Sequence, residues 1–387
     1  MIRTLMLCWV GACVLLTCGC GSDSGQNALK QGMAAFQDKN YSAAITFLTR
    51  ATQRISNSAD LYYHLGAAHL AKGELEPATA AFEAAVELKP SHGEALAGLG
   101  QVYYYKKEPL KAQDCFTQAL AAEVASDEAK AGILNGLALV ASEQRQFDRA
   151  RLYLLRAQQT CRLYAPTLYN LASLYRDAYG LREEALDQFE LYLRAAGKQA
   201  RYYEKAENNA KRLRLNIERT QAAELDAMRR DPAQAAKLLQ EGVNAQVTKQ
   251  PAKAIKCYRD ALNADPLAFN AAFGLATVYK AQGQRAEAME AYKRAATITP
   301  THQDSYLQAA ELAFQLKRYD EAEKILDRAI ARSPYQPASA ELMARIRHAE
   351  KRLPEARAYG EFYLSLLRPD DKGRAAYAKW VQALPAK

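Results

Sequence analysis

The chain has 387 residues, of which 49% are hydrophobic and 25% are charged, and its formal net charge is +9. A compact fold of this length would normally divide into domains, whereas a repeat array simply becomes longer. No second long apolar segment follows the one at the N-terminus, so we expect no further membrane-spanning helix. Three cysteines follow Cys20, and this odd number disfavours a disulfide framework.

The first twenty residues have the pattern of an export signal. Arg3 precedes an apolar run over residues 5–16, which is too short to cross a bilayer as a helix. The run is followed by Cys18 and Cys20 and then by a polar segment. This order resembles a bacterial lipoprotein signal, in which the cysteine after the cleavage point receives a lipid.

The resemblance implies that the mature protein is anchored outside the cytoplasm through Cys20, which follows the small residue Gly19. Cys18 is the alternative acceptor, because cleavage before it keeps Leu15 at the apolar position of the family. An ordinary cleaved signal or an uncleaved anchor would also be compatible with the apolar run. Since Gly21 rather than an aspartate follows Cys20, the sorting pattern of such lipoproteins indicates the outer membrane, on its periplasmic face.

One pattern returns every 34 residues along much of the remaining chain. Its first mark is a glycine or alanine, found at Gly32, Gly66, Gly100, Gly242, Ala276, Ala310 and Ala344. A small residue stands twelve positions later, and in all but the last repeat an apolar residue follows four positions after it. Small residues allow two antiparallel helices to approach closely, and the larger residue fills the space between neighbouring hairpins.

Two repeats depart from this pattern. The fifth, which contains Ala172, carries one extra residue near Gly180, and the ninth has Arg347 and Gly360 where large apolar residues are expected. The pattern resembles that of tetratricopeptide repeats. This resemblance implies an all-α fold, a right-handed α-solenoid of about eight to nine helix hairpins in two arrays joined by a long helix.

The segment between the two arrays lacks the repeat register. Residues 198–231 contain neither glycine nor proline, and their apolar side chains step by three and four, which predicts a long connecting helix. The stripe that we expect to be buried consists of Tyr203, Ala206, Ala210, Leu213 and Ile217. The same segment is the most basic of the chain, which a solvated helix face explains. Contacts with anionic lipid headgroups or with nucleic acid are the alternatives.

The predicted organisation has six parts. They are a lipoprotein signal peptide at residues 1–20, a short tether at 21–27, a first array of five repeats at 28–195, the connecting helix at 198–231, a second array of three to four repeats at 233–369, and a C-terminal capping helix at 370–387. In the capping helix, Tyr377, Trp380 and Leu384 are expected to cover the last hairpin.

No motif of an enzyme is present in the sequence. There is no P-loop, no glycine-rich dinucleotide turn, no nucleophile elbow and no metal-binding spacing among the histidines. We therefore expect a non-catalytic protein without a cofactor or a metal. Cys115 and Cys257 occupy the same position of the repeat, which favours a packing role for both.

In tetratricopeptide proteins, partners bind the concave groove formed by positions two, five, nine and twelve of each first helix. The groove residues that this resemblance implies are Phe36, Tyr63, Gln101, Tyr104, Asn135, Tyr169 and Arg176 in the first array, and Phe273, Lys280 and Phe314 in the second. Aromatic rings with a few polar groups suit an extended or helical peptide. Alternatively, these side chains only pack against adjacent repeats, or the long helix of the protein fills the groove.

The resemblance therefore implies a lipid-anchored scaffold or adaptor of the cell envelope that binds protein or peptide partners, without a nucleic-acid partner. Exported lipoproteins of this type serve pilus secretin assembly, outer-membrane protein insertion or the control of peptidoglycan enzymes, and the repeats do not select among these roles. A permanent structural subunit of an outer-membrane or secretion and pilus complex is the alternative. A third interpretation, an enzyme accessory that binds polysaccharide, depends only on the tyrosines.

Overall fold

The computed structural model describes residues 24–122, 124–226, 228 and 230–385. Within these residues the chain forms α-helices that are mostly paired as hairpins, so the predicted all-α repeat fold is confirmed. No helix in this part of the chain combines the length and the apolar character needed to cross a membrane. The predicted signal peptide, with Cys18 and Cys20, lies outside the described residues.

The described chain forms two compact units, which divide between Thr167 and Leu168. The first unit contains four helix hairpins. Their helices are α1 (described over residues 24–37), α2 (Tyr41–Thr52), α3 (Ala59–Lys72), α4 (Leu75–Leu88), α5 (Gly93–Tyr105), α6 (Pro109–Ala121), α7 (Asp127–Glu143) and α8 (Phe147–Thr160).

The second unit contains most of the fifth hairpin, the connecting helix and four further hairpins. The fifth hairpin consists of α9 (Ala165–Leu174), within which the two units divide, a π-helical turn (Tyr175–Tyr179) and α10 (Arg182–Ala195). The remaining helices are α11 (Tyr203–Asp226), α12 (Pro232–Val247), α13 (Pro251–Ala264), α14 (Phe269–Ala281), α15 (Arg285–Ile298), α16 (Gln303–Gln315), α17 (Tyr319–Arg332), α18 (Pro337–Ala349), α19 (Leu353–Leu366) and α20 (Arg374–Ala383).

The large residue of the repeat lies between two glycines. Phe82 of α4 faces Gly66 of its own hairpin and Gly98 of the next, and Cβ atoms built on these glycines would lie 2.7 and 2.5 Å from ring carbons. The same arrangement recurs around Phe116, with Gly100 and Gly136, and around Tyr258, with Gly242 and Gly274. The hairpins therefore approach each other through an aromatic ring that only glycine can accommodate at both faces.

Each hairpin turns through a residue in the left-handed backbone region. In most hairpins this residue stands seven positions after the small residue of the repeat, as Gly73 does after Gly66. Basic residues with φ between 57° and 62° take this place at Lys39, Lys107, Arg145, Lys249, Lys317 and Lys351. A side chain in this region costs roughly 1–2 kcal/mol, so these turns are less favourable than those made by glycine.

The extra residue of the fifth hairpin is accommodated inside a helix. The π-helical turn Tyr175–Tyr179 widens the end of α9, and Gly180 follows it with φ 65° and donates its N–H to the carbonyl of Tyr175. Gly180 stands eight positions after Ala172 instead of seven. The wider turn therefore absorbs the added residue before the chain reverses.

The connecting helix is shorter than the predicted segment 198–231. Helix α11 has 24 residues, and the chain before it, over residues 197–202, forms turns. Of the predicted stripe, Ala206, Ala210 and Leu213 are buried. The helix packs against α10, so its neighbour is the fifth hairpin.

The two unusual residues of the ninth hairpin have separate explanations. Arg347 is fully buried, and its guanidinium forms ion pairs with Glu323 of α17 and with Glu350, which lies 3.1 Å away. The charge is therefore compensated inside the hairpin stack, where an isolated charge would be very costly.

Helix α20 completes the packing around Gly360. A Cβ atom at this glycine would lie 2.6 Å from Cγ2 of Val381, so the absent side chain makes room for α20. Ala378 of α20 stands 34 residues after Ala344, which continues the repeat spacing. The last helix therefore corresponds to the first helix of a further hairpin.

Candidate partner-binding surfaces

The predicted groove residues of the first unit differ in how much surface they present. Gln101 is exposed, and Phe36, Tyr63 and Tyr104 are half-buried. Asn135 is only 8% exposed, so its side chain is packed within the unit. Four of these five residues thus retain surface for a partner.

Tyr63 is both a packing residue and a surface residue. Its ring centroid lies 5.4 Å from that of His92 and 6.1 Å from that of Phe82. His92 is buried and caps α5 by accepting the N–H of Ala95, while its Nε2 lies 3.1 Å from Oδ1 of Asp60. Burial, with a smaller contribution from the Glu94 carboxylate, raises the pKa of Tyr63, so its hydroxyl stays protonated at neutral pH.

A more open aromatic cluster lies at the end of α5. The ring of Tyr104 is 5.9 Å from that of Tyr105, which is 45% exposed and accepts a hydrogen bond of 3.4 Å from the Gln101 amide. Lys107 Nζ lies 5.5 Å from the centroid of the Tyr104 ring and donates a hydrogen bond of 2.6 Å to Glu143. We call Gln101, Tyr104, Tyr105 and Lys107 the α5 cluster. It combines aromatic area with hydrogen-bond donors, as protein-binding surfaces do.

In the second unit, the chain itself covers Tyr169. The ring of Tyr202, from the turn before α11, lies parallel to that of Tyr169 with the centroids 4.7 Å apart. Phe189 and Tyr192 contact Tyr169 edge-on at 5.8 and 5.5 Å, and only 8% of Tyr169 remains exposed. The covering side chain belongs to the turn rather than to the long helix that the sequence suggested as a possible occupant of the groove.

Arg176 lies beside the same cluster, in the π-helical turn. Its guanidinium donates two hydrogen bonds of 2.6 Å to Asp177, and its Cζ lies 5.5 Å from the centroid of the Phe189 ring. The charge of Arg176 is therefore neutralised by its sequence neighbour.

Phe273 repeats the environment of Tyr63. Its ring lies 5.5 Å from that of Tyr292 and 5.1 Å from that of His302. The three side chains in the corresponding positions of the first unit are Tyr63, Phe82 and His92. Phe273 is half-buried in this cluster, so part of the ring packs between hairpins and part remains at the surface.

The remaining predicted residues lie on α14 and α16. Lys280 donates a hydrogen bond to Gln308 of α16. The guanidinium of Arg345 lies 4.8 Å from the centroid of the Phe314 ring and donates hydrogen bonds of 3.2 and 3.3 Å to Glu311. Glu311 and Arg345 compensate each other, whereas the charge of Lys280 meets a neutral amide.

No metal site is found among the described residues, and the Cys115 thiol is poorly reactive. No three histidine, cysteine or acidic side chains within them are grouped to hold a metal ion. Cys115, Cys161 and Cys257 are free thiols. Burial raises the pKa of the Cys115 thiol to about 11, so little of the reactive thiolate is present at neutral pH.

Three family models described as tetratricopeptide repeat match residues 59–92, 239–303 and 280–346. The chain therefore contains tetratricopeptide repeats in both compact units, which agrees with the paired helices and with the 34-residue spacing.

Among curated proteins, the type IV pilus assembly protein PilF of Pseudomonas aeruginosa is 34% identical over 100 residues, which are 26% of this chain and 38% of PilF. Superkiller complex protein 3 of Mus musculus is 27% identical over 281 residues, covering 69% of this chain and 17% of that protein. The chain thus spans well under half the length of either relative. The solved structure of PilW, a type IV pilus biogenesis factor, is 16% identical with a TM-score of 0.40, covering 66% of this chain and 97% of PilW. At these values the PilW structure supports no inference about function.

Proposed function

We propose that this chain is a non-catalytic adaptor, anchored by a lipid at Cys20 in the cell envelope, that binds protein or peptide partners for the assembly of an envelope complex. The α5 cluster is the observation that carries the proposal. Its rings lie at predicted groove positions or next to them, and it retains exposed aromatic area beside the Gln101 amide. The Lys107 ammonium at its edge is paired with Glu143.

The chemistry of the α5 cluster suits a protein partner. Tyrosine provides a large contact area at a low cost in conformational entropy, and its hydroxyl orients a partner through a hydrogen bond. A single exposed apolar side chain is ordinary on a protein surface. Tyr105 accepts a hydrogen bond from Gln101, and the adjacent Tyr104 is flanked by Lys107. The two tyrosines thus form a partly ordered patch, which is the arrangement that binding hot spots favour.

The envelope location is supported by two independent observations. The first twenty residues resemble a lipoprotein signal, and the named relative PilF is a type IV pilus assembly protein. The first described residue of helix α1 is Ser24, four positions after Cys20. Four residues of extended chain span at most about 14 Å, so a lipid at Cys20 would hold the first hairpin next to the membrane, facing the periplasm at the outer membrane.

The test is crosslinking in native membranes followed by identification of the co-purified proteins. The Tyr104→Ala, Tyr105→Ala double variant is compared with wild type and with Leu88→Ala, a control that removes a similarly exposed apolar side chain from α4. Partners lost only from the double variant support the proposal. Identical partner lists for all three proteins would contradict an adaptor role of the α5 cluster, provided that the circular dichroism spectra agree.

The lipid anchor has its own test. Cys20→Ser is expected to release the protein from the membrane fraction, and Cys18→Ser is the matched control because it changes the neighbouring cysteine of the same segment. Mass spectrometry of the N-terminal peptide identifies the lipid. A Cys20→Ser variant that fractionates like wild type would contradict lipidation at this residue.

A permanent structural subunit is the second candidate, and the exposed apolar surface of α12 favours it. Val247 is 76% exposed, and Val243 on the same helix is also exposed. Apolar surface of this kind is typical of contacts between subunits. Gel filtration of the purified protein separates the two functions, since an adaptor remains monodisperse alone and a permanent subunit requires co-expression with its neighbours.

A further inference from the structure

A cavity of about 430 Å³ lies within the second unit, between the start of α10, the middle of α11 and the helices α15 to α17. Its lining is predominantly polar and includes three arginines, Arg182, Arg328 and Arg332, and two glutamates, Glu183 and Glu184. None of the predicted groove residues lines it. The cavity is therefore separate from the surfaces proposed above to bind protein partners.

Both carboxylates of the cavity already have partners. Arg332 Nη2 lies 2.5 Å from Oε2 of Glu183, and its Nε lies 2.8 Å from Oε1 of Glu184. Gln221 of α11 donates a further hydrogen bond of 3.3 Å to Glu183. Arg332 is thus occupied by this contact between α17 and α10, and the two glutamates have little capacity left to neutralise other cations.

Arg182 and Arg328 have no carboxylate within ion-pair distance among the described residues, and both side chains are exposed to the solvent. Burial raises the pKa of Tyr306, and the positive charges of Arg332 and Arg328 partly oppose this increase. Three arginines and two glutamates line the cavity. Asp187 of α10 lies within electrostatic range of Arg332, and burial raises the pKa of its carboxyl. Arg182 and Arg328 are therefore the charges that remain available to a ligand.

The hydroxyl groups of the lining are already used within the protein. Thr220 and Thr297 donate to carbonyls of their own helices, and Tyr306 donates to the carbonyl of Ala296. The donors that remain are the guanidinium groups of Arg182 and Arg328, together with the amide of Asn216. The cavity therefore offers charged donors to a ligand that accepts hydrogen bonds.

We propose that this cavity binds a phosphate group, carried by a free phosphate compound or by the headgroup of an anionic phospholipid. A guanidinium presents a planar set of N–H donors that matches the oxygen atoms of phosphate, and such charge-assisted bonds are about twice as strong as neutral ones. The volume lies within the range of small-molecule sites and exceeds that of phosphate alone, so the rest of a small ligand also fits.

Occupation of the cavity would also stabilise the second unit. The lining comes from helices far apart in the sequence, since Arg182 precedes Arg328 by 146 positions. A ligand that binds only the folded state increases the free energy of unfolding, and the increase grows with the logarithm of the ratio of ligand concentration to dissociation constant. Phosphate is therefore expected to protect α10 and α17 together from hydrogen exchange.

The test titrates the full chain with inorganic phosphate by isothermal titration calorimetry, at constant ionic strength. The cavity variant Arg182→Gln, Arg328→Gln is compared with the control variant Lys253→Gln, Arg285→Gln, which removes two exposed positive charges of the same unit outside the cavity. The cavity variant loses two charged donors, so we expect phosphate to bind it at least about tenfold more weakly. The control variant should bind like wild type.

A second arm distinguishes the two sources of phosphate. The same proteins are sedimented with phosphatidylcholine vesicles that contain or lack phosphatidylglycerol; the N-terminal segment is identical in all of them. A lipid headgroup is indicated if wild type sediments only with vesicles that contain phosphatidylglycerol, if the cavity variant does not sediment with them, and if inorganic phosphate competes with this binding. Phosphate binding without such sedimentation indicates a free ligand. The proposal is overturned if wild type binds neither probe, or if the control variant weakens binding as much as the cavity variant.

Discussion

Tyr202 stacks on Tyr169 with the ring centroids 4.7 Å apart and the ring planes inclined by 17°. Tyr169 stands at a predicted groove position of the fifth hairpin, and Tyr202 belongs to the turn that leads into α11. A side chain of the protein itself thus occupies the place where the resemblance to tetratricopeptide proteins implied a partner. At this hairpin, a partner would have to displace Tyr202 to reach Tyr169.

Replacing Tyr202 tests how strongly this turn is held. Tyr202→Ala removes the stacked ring, and since aromatic pairs contribute about 0.5–1.5 kcal/mol beyond their burial, we expect the second unit to lose about 1 kcal/mol of stability or more. Tyr202→Phe keeps the ring and should behave like wild type. Urea unfolding and hydrogen exchange of the peptides from α9 and α10 measure the effect. Unchanged exchange in Tyr202→Ala would show that the stacking contributes nothing.

The aromatic ring between two glycines leads to a second prediction. Gly98→Ala places a methyl group against the Phe82 ring, and overpacking of this kind typically costs about 1–3 kcal/mol. Phe82→Leu in the same chain should relieve the clash, so the double variant should be less destabilised than the sum of the single variants. A double-mutant cycle by urea unfolding measures this coupling. Strict additivity would mean that Gly98 is not required by the ring.

The left-handed turns predict opposite effects at equivalent positions. Lys249→Gly is expected to stabilise the second unit by about 0.5–1 kcal/mol, because glycine adopts the positive φ without a steric penalty. Gly283→Ala should destabilise it by about 1 kcal/mol, although no atom lies within 4 Å of the added methyl group. Lys256→Gly, in the interior of α13, is the control and should be destabilising. Thermal unfolding measures all three, and destabilisation by Lys249→Gly would contradict the relief of backbone strain.

The pKa of His64 predicts a loss of stability in mild acid. Burial lowers this pKa and the His92 charge adds to the effect, while the Asp60 carboxylate partly opposes it. The folded pKa lies below that of the unfolded chain, near 6.5, so the unfolded chain takes up the proton first as the pH falls. The contribution of His64 is therefore constant at high pH and becomes destabilising as the pH falls below about 6.5 towards the folded pKa.

The measurement for His64 is urea unfolding of the wild type and of His64→Gln between pH 8 and pH 5. Their difference isolates His64 from the remaining histidines. The variant is expected to lose less stability than the wild type on acidification. An equal loss in both proteins would show that His64 does not titrate differently in the folded state.

The repeat fold was predictable because its signals are local. The spacing of Gly66 and Gly100 and the alanines twelve positions later follow directly from close helix packing. The second glycine at each ring also leaves a sequence signal, since Gly98, like Gly136 and Gly274, stands two positions before the small residue of its repeat. Ala378 likewise continues the spacing and marks α20 as part of the repeat.

Some features depend on contacts that the sequence pattern does not reveal. Lys249 and the equivalent basic turn residues have no turn propensity of their own, and they adopt the left-handed conformation because the two helices of the hairpin require it. Arg347 stands where the repeat pattern expects a large apolar residue. Its burial depends on the ion pair with Glu323, which lies on another helix and which the pattern does not identify as its partner. The cover over Tyr169 arises in a turn that the uninterrupted helical pattern of residues 198–231 concealed.

The π-helical turn at Tyr175–Tyr179 changes what the fifth hairpin can offer to a partner. A strictly periodic protein presents the same surface in every repeat, so a ligand binds each repeat with the same affinity. One added residue, absorbed within a helix, gives Arg176 a backbone setting that no regular hairpin shares. The insertion therefore makes the surface around Arg176 different from the equivalent surfaces of the other hairpins.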